Sequence, residues 1–369
     1  MHFGVGAVKA LTSVLPKHVE AVLLVRGASE TTSQPIREDL EEHGVEVHQI
    51  SVTSEPSVAS VNSALHQIVG AHCSAVIACG GGSVLDTAKA LRFCLELGSE
   101  LPEDIGTVDQ ASLESSAKIV LVAIPTTAGT GAEVTCNAVL GLTGLKASLR
   151  GRRLFPSVAL VDPNLFASAP RSVAVGAGLD ALTQTIEAYT SRVASPFTDA
   201  ITEPNVRLGA RALRKVAERG DEAAWTQMGW VSLSSGVALA NGGLGAAHGL
   251  AAVLGGRYDA PHGLLCGRLL GPVLSKNRSM AEIGSDAFLK IEHCIEVLTE
   301  IFPSGHGQDE LSGLGIWLKQ HQVPKLRDFC PDRRNFDEIS EAAVFASSST
   351  KNPVALKKAD FREILDAAY

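Results

Sequence analysis

The chain has 369 residues, 45% hydrophobic and 20% charged, which excludes a disordered chain, a fibrous repeat or a small disulfide scaffold. Its 35 glycines follow no G-X-Y period, so collagen is excluded as well. The formal net charge is −8 and no basic stripe is interleaved with aromatics, so nucleic acid is not an expected partner. In chain order, 21–25 reads as a strand, 34–43 as a helix with Gly44 as its C-cap, and 45–50 as the next strand. Residues 56–70 read as a helix, with Val58, Val61, Leu65 and Ile68 at helical spacing. A strand at 74–79, a helix at 83–97 and strands at 119–124 and 158–161 follow. This alternation predicts a parallel sheet covered on both faces, which binds ligands beyond the carboxyl ends of its strands.

After Asp162-Pro163 strand-like runs disappear, and helices rich in Ala, Leu and Gly take over. The expected division is therefore an α/β domain at 1–163 and an all-helical domain at 164–369, with the active site in the crevice between them. The most apolar long stretch, 231–256, contains Asn241, His248 and many glycines, so a buried helical core is expected rather than a membrane span. The N-terminus lacks a basic segment followed by an apolar run and a cleavage site, so no secretory leader is expected. Seven cysteines with no C-x-x-C spacing point away from a disulfide framework or a thiolate zinc site and toward a reducing cytoplasm.

Three stretches carry chemistry. In the first, a buried strand runs into Gly80-Gly81-Gly82-Ser83 and then a helix, where free N–H groups and absent side chains suit a phosphate. The plainer reading is a tight turn followed by a Ser83/Asp86 capping box. Phe3-Gly4-Val5-Gly6 lacks a third glycine and follows no predicted strand, so it reads as an entry turn. In the second, Pro125-Thr126-Thr127-Ala128-Gly129-Thr130-Gly131-Ala132-Glu133 supplies hydroxyl and amide donors at a strand's carboxyl end, unless it is a plain loop. The third is dispersed. Asp180 and Gln184 share a helix face, His248 lies in a Gly/Ala-rich helix, and His262 lies in Tyr258-Asp259-Ala260-Pro261-His262-Gly263, read as a loop. Two histidines and a carboxylate are sufficient for a catalytic metal with an open position. Against that, Asp180 reads equally as a helix N-cap and either histidine as a satisfied core residue.

GGGSVLDTAKA at 80–90, IPTTAGTGAEVT at 124–135, VDP at 161–163, GLDALTQTIEAYTS at 178–191 and NGGLGAAHGLAAVLGGRYDAPHG at 241–263 resemble the iron-containing (group III) alcohol dehydrogenases, collinearly over nearly the whole chain. The resemblance implies an α/β dinucleotide-binding domain with a parallel sheet plus an all-α metal and substrate domain, the dehydroquinate synthase-like fold. It also implies a homodimer and NAD(P)-linked interconversion of an alcohol with an aldehyde or ketone. Carried over by motif, Gly81, Gly82, Ser83 and Asp86 hold the cofactor. Thr126 and Thr127 lie along its phosphate and nicotinamide ribose, with Lys146 nearby. Asp180, Gln184, His248 and His262 occupy the four positions that hold Fe or Zn. Asp180, His248 and His262 form the catalytic group.

Three departures stand out. Gln184 replaces a histidine, making it a poor fourth ligand or a hydrogen-bond partner behind the ligands, with metal-free catalysis as the alternative. Ala252 stands where the family often carries a further histidine, so the resemblance supplies no proton donor. Gly27 stands where the family often has an aspartate facing the adenosine ribose. That permits a 2′-phosphate, with Arg26, Ser29 or Thr31 in reach, and leans the cofactor to NADPH. Leu244, and less directly Leu239, line the substrate wall by analogy, and Arg257 is a candidate for a substrate carboxylate or phosphonate. The competing functions are a dehydroquinate-synthase-like cyclase and a nucleotide-binding homologue without catalysis.

Overall fold

Val22, Leu23, Leu24 and Val25 are all fully buried, and alternate residues belong to different cores. Leu23 and Val25 join Val76, Ala78, Leu121 and Ala123 in one, and Val22 and Leu24 join Ala75, Ile77, Val122 and Ile124 in the other. A period of two with both faces apolar is the pattern of a strand covered on both sides. Each such valine, leucine or isoleucine contributes roughly 1.5–3 kcal/mol by burial.

The computed structural model describes residues 1–142, 145–218, 220–258, 260–307 and 309–369. The chain divides into one unit of Met1–Thr127 with Gly131–Ala169 and another of Ala128–Thr130 with Pro170–Tyr369. The first unit contains strands β1 (His2–Phe3), β2 (Ala21–Gly27), β3 (Glu46–Val52), β4 (Ala75–Gly80), β5 (Val120–Pro125), β6 (Asn137–Leu142), β7 (Leu145–Arg150) and β8 (Val158–Val161). Its helices are α1 (Leu11–Val14), α2 (Gln34–Glu42), α3 (Val58–Gln67), α4 (Gly82–Leu97), α5 (Gln110–Glu114) and α6 (Pro163–Phe166). The six-stranded sheet has the order β1-β8-β5-β4-β2-β3 and all its pairs are parallel. Helices α3 and α4 cover one face through Val58, Val61, Val84, Leu85 and Leu91, and α1 and α2 cover the other through Leu11, Ile36 and Leu40.

Local chemistry explains the boundaries. Gly44 follows α2 at φ 76°, the left-handed ending read from the sequence. Helix α3 starts at a reciprocal box between Ser57 and Ser60. Three features depart from expectation. First, β1 pairs with β8, so Gly4 and Gly6 do follow a strand, one too short to announce itself. Second, β6 and β7 form an antiparallel hairpin whose strands mix Asn137, Gly141, Lys146, Ser148 and Arg150 with apolar residues. Third, Asp162 caps α6 within the first unit by accepting from the Asn164 N–H at 3.1 Å, and the units divide at Ala169/Pro170.

Among the described residues, the second unit's secondary structure is helical throughout. It contains α7 (Arg171–Thr190), α8 (Pro196–Glu218), α9 (Glu222–Gly242), α10 (Ala246–Arg257), α11 (His262–Met280), α12 (Asp286–Ile301), α13 (Ser312–Gln320), α14 (Leu326–Phe329), α15 (Phe336–Phe345) and α16 (Lys358–Ala368). Among the described residues no single helix is long and apolar enough to cross a membrane. The apolar stretch at 231–256 spans α9 and α10, bent by 98° from each other, and its Val231, Leu233, Ala247, Leu250 and Leu254 are core residues.

Candidate active site

Because β2, β4 and β5 are neighbours and parallel, their carboxyl ends lie side by side. Those ends are Gly27, Gly80 and Pro125. A Cβ on Gly80 would collide with Val84, so glycine is what lets α4 start directly from β4. A Cβ on Gly81 would lie 3.1 Å from the Thr127 Oγ1, which puts the glycine turn against the threonine loop. The Thr126 N–H donates to the Gly80 carbonyl at 3.0 Å and fixes that juncture. Gly27 faces open space. Beside it, Arg26 donates to Glu30 at 2.6 Å and to Gln49 at 3.2 Å, and the Ser29 and Thr31 hydroxyls bond each other at 2.9 Å.

The Ser83/Asp86 capping box does not form. The N-cap of α4 is Gly81, with no side-chain cap. Asp86 turns to the hairpin instead: one oxygen accepts from Lys89 at 3.4 Å and the other from the Val139 N–H at 3.0 Å. Lys89, fully buried, also donates to Thr135 Oγ1 at 3.0 Å and to the Asn137 carbonyl at 2.8 Å. Asp86 therefore anchors β6 to α4, and Lys146 on β7 pairs with Glu55.

Glu133, at the end of the threonine loop and 3% exposed, is pushed up to about 7 by burial, against its own backbone hydrogen bond and the Lys89 charge. A carboxyl raised on folding contributes stability below its unfolded value of 4.5, and that contribution is lost as pH rises through about 7. Glu133→Gln should therefore flatten the pH dependence between those values. Denaturant titrations should find it matching the parent at pH 4 and more stable by about 3 kcal/mol at pH 8.

Asp180, Gln184 and Glu187 lie at i, i+4 and i+7 on one face of α7, and all three are buried. Asp180 is mid-helix, so it is not an N-cap. His248, in the first turn of α10, bridges two of these residues. Its Nδ1 donates to Glu187 at 2.6 Å, and its Nε2 lies 3.2 Å from Asp180 Oδ1. Glu187 also accepts from the Ala247 N–H at 2.6 Å.

His262 is not in a loop but opens α11, after Pro261 at the N-cap. Asp259, part of the loop expected there, lies outside the described residues. A Cβ on Gly263 would collide with the Gly176 carbonyl, so this glycine allows α11 to cross α7 backbone to backbone. The crossing brings His262 Nε2 to 3.9 Å from Asp180 Oδ1. One turn on, Cys266 Sγ lies 3.6 Å from His262 Nε2. Ligand atoms of Asp180, His248, His262 and Cys266 all lie within 4.8 Å of one another.

Gln184 turns its amide nitrogen elsewhere, donating to Ser235 Oγ at 2.8 Å and to the Thr130 carbonyl at 3.2 Å. Leu244 is buried, and Arg257 pairs with Glu338 at 2.9 Å. Sequence reasoning missed Glu187 and Cys266. The i+7 spacing from Asp180 was the available signal for the first, and the i+4 spacing from His262 for the second.

Residues 1–163 match the family model described as iron-containing alcohol dehydrogenase, and 174–369 match Fe-containing alcohol dehydrogenase family, C-terminal. Long-chain-alcohol dehydrogenase 1 of Geobacillus thermodenitrificans is 31% identical, over 100% of this chain and 94% of its own length. The chain belongs to the iron-containing alcohol dehydrogenase family. The NADPH-dependent butanol dehydrogenase of Clostridium saccharobutylicum is 30% identical, over 100% of this chain and 96% of its own. A solved 1,3-propanediol oxidoreductase superposes with TM-score 0.85 at 27% identity, covering 100% of this chain and 97% of that one.

As a member of this family the protein is an NAD(P)-dependent oxidoreductase that interconverts alcohols and carbonyl compounds. The donor chemistry fits the divalent ion that the family name implies: a carboxylate, two imidazoles and a thiol converge in a buried space. Burial opposes protonation of His248 and His262, yet Cys266 and Asp180 raise both, with Glu187 adding to His248. Burial also opposes ionisation of Asp180 and Cys266, yet the two histidines lower both.

Proposed function

We propose that this iron-containing alcohol dehydrogenase uses NADPH and a divalent ion held by Asp180, His248 and His262 to interconvert an uncharged aliphatic alcohol with its carbonyl partner. The observation that carries the reading is the convergence of these three side chains, with His248 oriented by the buried Glu187 carboxylate. When bound, the ion supplies Lewis acidity toward a carbonyl oxygen, and the nicotinamide supplies the hydride.

The protein's own residues set the conditions. Asp180 brings negative charge into a water-poor space, and Glu187 holds the His248 ring in one orientation. His262 is the most exposed of the three, at 33% of its side chain, so a substrate oxygen enters on its side. The carboxyl ends of β4 and β5, with Gly81, Gly82, Ser83, Thr126 and Thr127, offer backbone and hydroxyl donors for the cofactor phosphates. An uncharged substrate is supported by buried Leu244 and by the pairing of Arg257 with Glu338. The homodimer rests on the family resemblance, and the cytoplasmic setting on the seven free cysteines.

NADPH use rests on Gly27, on neighbouring Arg26 and on the similarity to the NADPH-dependent butanol dehydrogenase of Clostridium saccharobutylicum. An aspartate about 4 Å from a 2′-phosphate would cost about 4 kcal/mol per charge pair at an effective dielectric near 20, less at this open edge. Gly27→Asp has the room it needs. It should move the NADPH/NADH ratio of kcat/KM at least tenfold toward NADH. A parent enzyme that already prefers NADH tenfold would overturn the NADPH reading. Full turnover by enzyme shown metal-free by elemental analysis would overturn the metal reading.

A further inference from the structure

We propose that Cys266 is a metal ligand, so that the ion is bound by Asp180, His248, His262 and Cys266, with Gln184 outside the coordination sphere. The inference rests on the metal reading above and concerns the fourth donor. A tetrahedral ion with bonds of about 2.0–2.3 Å separates its donor atoms by about 3.3–3.7 Å. Three of the pairs lie within about 0.2 Å of that range: 3.2 Å between Asp180 and His248, 3.9 Å between Asp180 and His262, and 3.6 Å between His262 and Cys266.

Cys266 is fully buried, with its Sγ 3.6 Å from His262 Nε2 and within 4.8 Å of the ligand atoms of Asp180 and His248, so its sulfur faces the same space as the other three. Its placement follows from the helix. His262 and Cys266 are one turn apart on α11, and Gly263 keeps that face of α11 against α7. Gln184, at the position of the fourth family ligand, commits its amide to Ser235 and Thr130. A thiolate in place of an imidazole or amide makes the set softer. It favours Zn²⁺ or Co²⁺ over Mg²⁺ or Mn²⁺.

The test is the full-length protein stripped by a chelator and reloaded with Co²⁺. The expected result is one tightly held Co²⁺ with a near-ultraviolet sulfur-to-cobalt charge-transfer band. The band should be lost in Cys266→Ser that still holds Co²⁺, and kept in Gln184→Ala. X-ray absorption of the Zn²⁺-loaded parent should show one sulfur at about 2.3 Å, and this decides the matter if Cys266→Ser does not fold. Stoichiometric Co²⁺ without the band, or zinc without sulfur, overturns the proposal while the metal reading stands. Failure of the parent to retain Co²⁺ overturns both.

Discussion

Asp180→Ala is expected to release the metal and to lower kcat/KM by about a thousandfold or more. Lewis-acid stabilisation of a developing alkoxide is worth several kcal/mol, and each 1.36 kcal/mol is about tenfold in rate. Asp180 is where the cluster closes: its Oδ1 is 3.2 Å from His248 and 3.9 Å from His262. Removing it leaves the two imidazoles without the carboxylate that lies between them. Metal content by elemental analysis, read beside steady-state kinetics, checks the prediction, and circular dichroism shows whether α7 and its partners remain folded. A variant that keeps both its metal and the parental kcat/KM would remove Asp180 from the active site.

Much of this arrangement was readable from the chain, and the misses share a physical cause. The strands at 74–79 and 119–124 announced themselves because burial on both faces demands unbroken apolar runs, and both lie within one residue of the observed β4 and β5. The β6–β7 hairpin gave no such signal, since Lys146, Ser148 and Arg150 interrupt it and its anchor, Lys89, comes from a distant helix. That anchor is also why Asp86 leaves the expected capping box: a buried ammonium competes for the carboxylate more strongly than a backbone N–H does. Asp180, His248 and His262 could be named from motifs. Cys266 could not, because reading His262 as part of a loop removed the helical register that puts Cys266 one turn away. Glu187 was hidden for a different reason. Its partner, His248, lies 61 residues along the chain and is brought to it only by tertiary packing.

Glu187→Gln is expected to weaken metal binding ten- to a hundredfold, the usual cost of losing the group that orients a ligating histidine. The native carboxylate serves both the helix start and the imidazole, the His248 backbone N–H also reaching it at 3.4 Å. One oxygen accepts from the Ala247 N–H at 2.6 Å, where Gly245 offers α10 no side-chain cap, and the other accepts from His248 Nδ1 at 2.6 Å. An amide has one carbonyl oxygen and one NH₂ group, so either the helix start or the imidazole must then face a donor. If the oxygen keeps the helix, the His248 ring turns and its Nε2 no longer points at Asp180. If it keeps the histidine, a buried N–H is stranded at about 1–3 kcal/mol. Chelator competition measures the first outcome, and thermal unfolding of the metal-free protein measures the second. A Gln variant that matches the parent in both would mean that His248 is oriented by Asp180 and by packing alone.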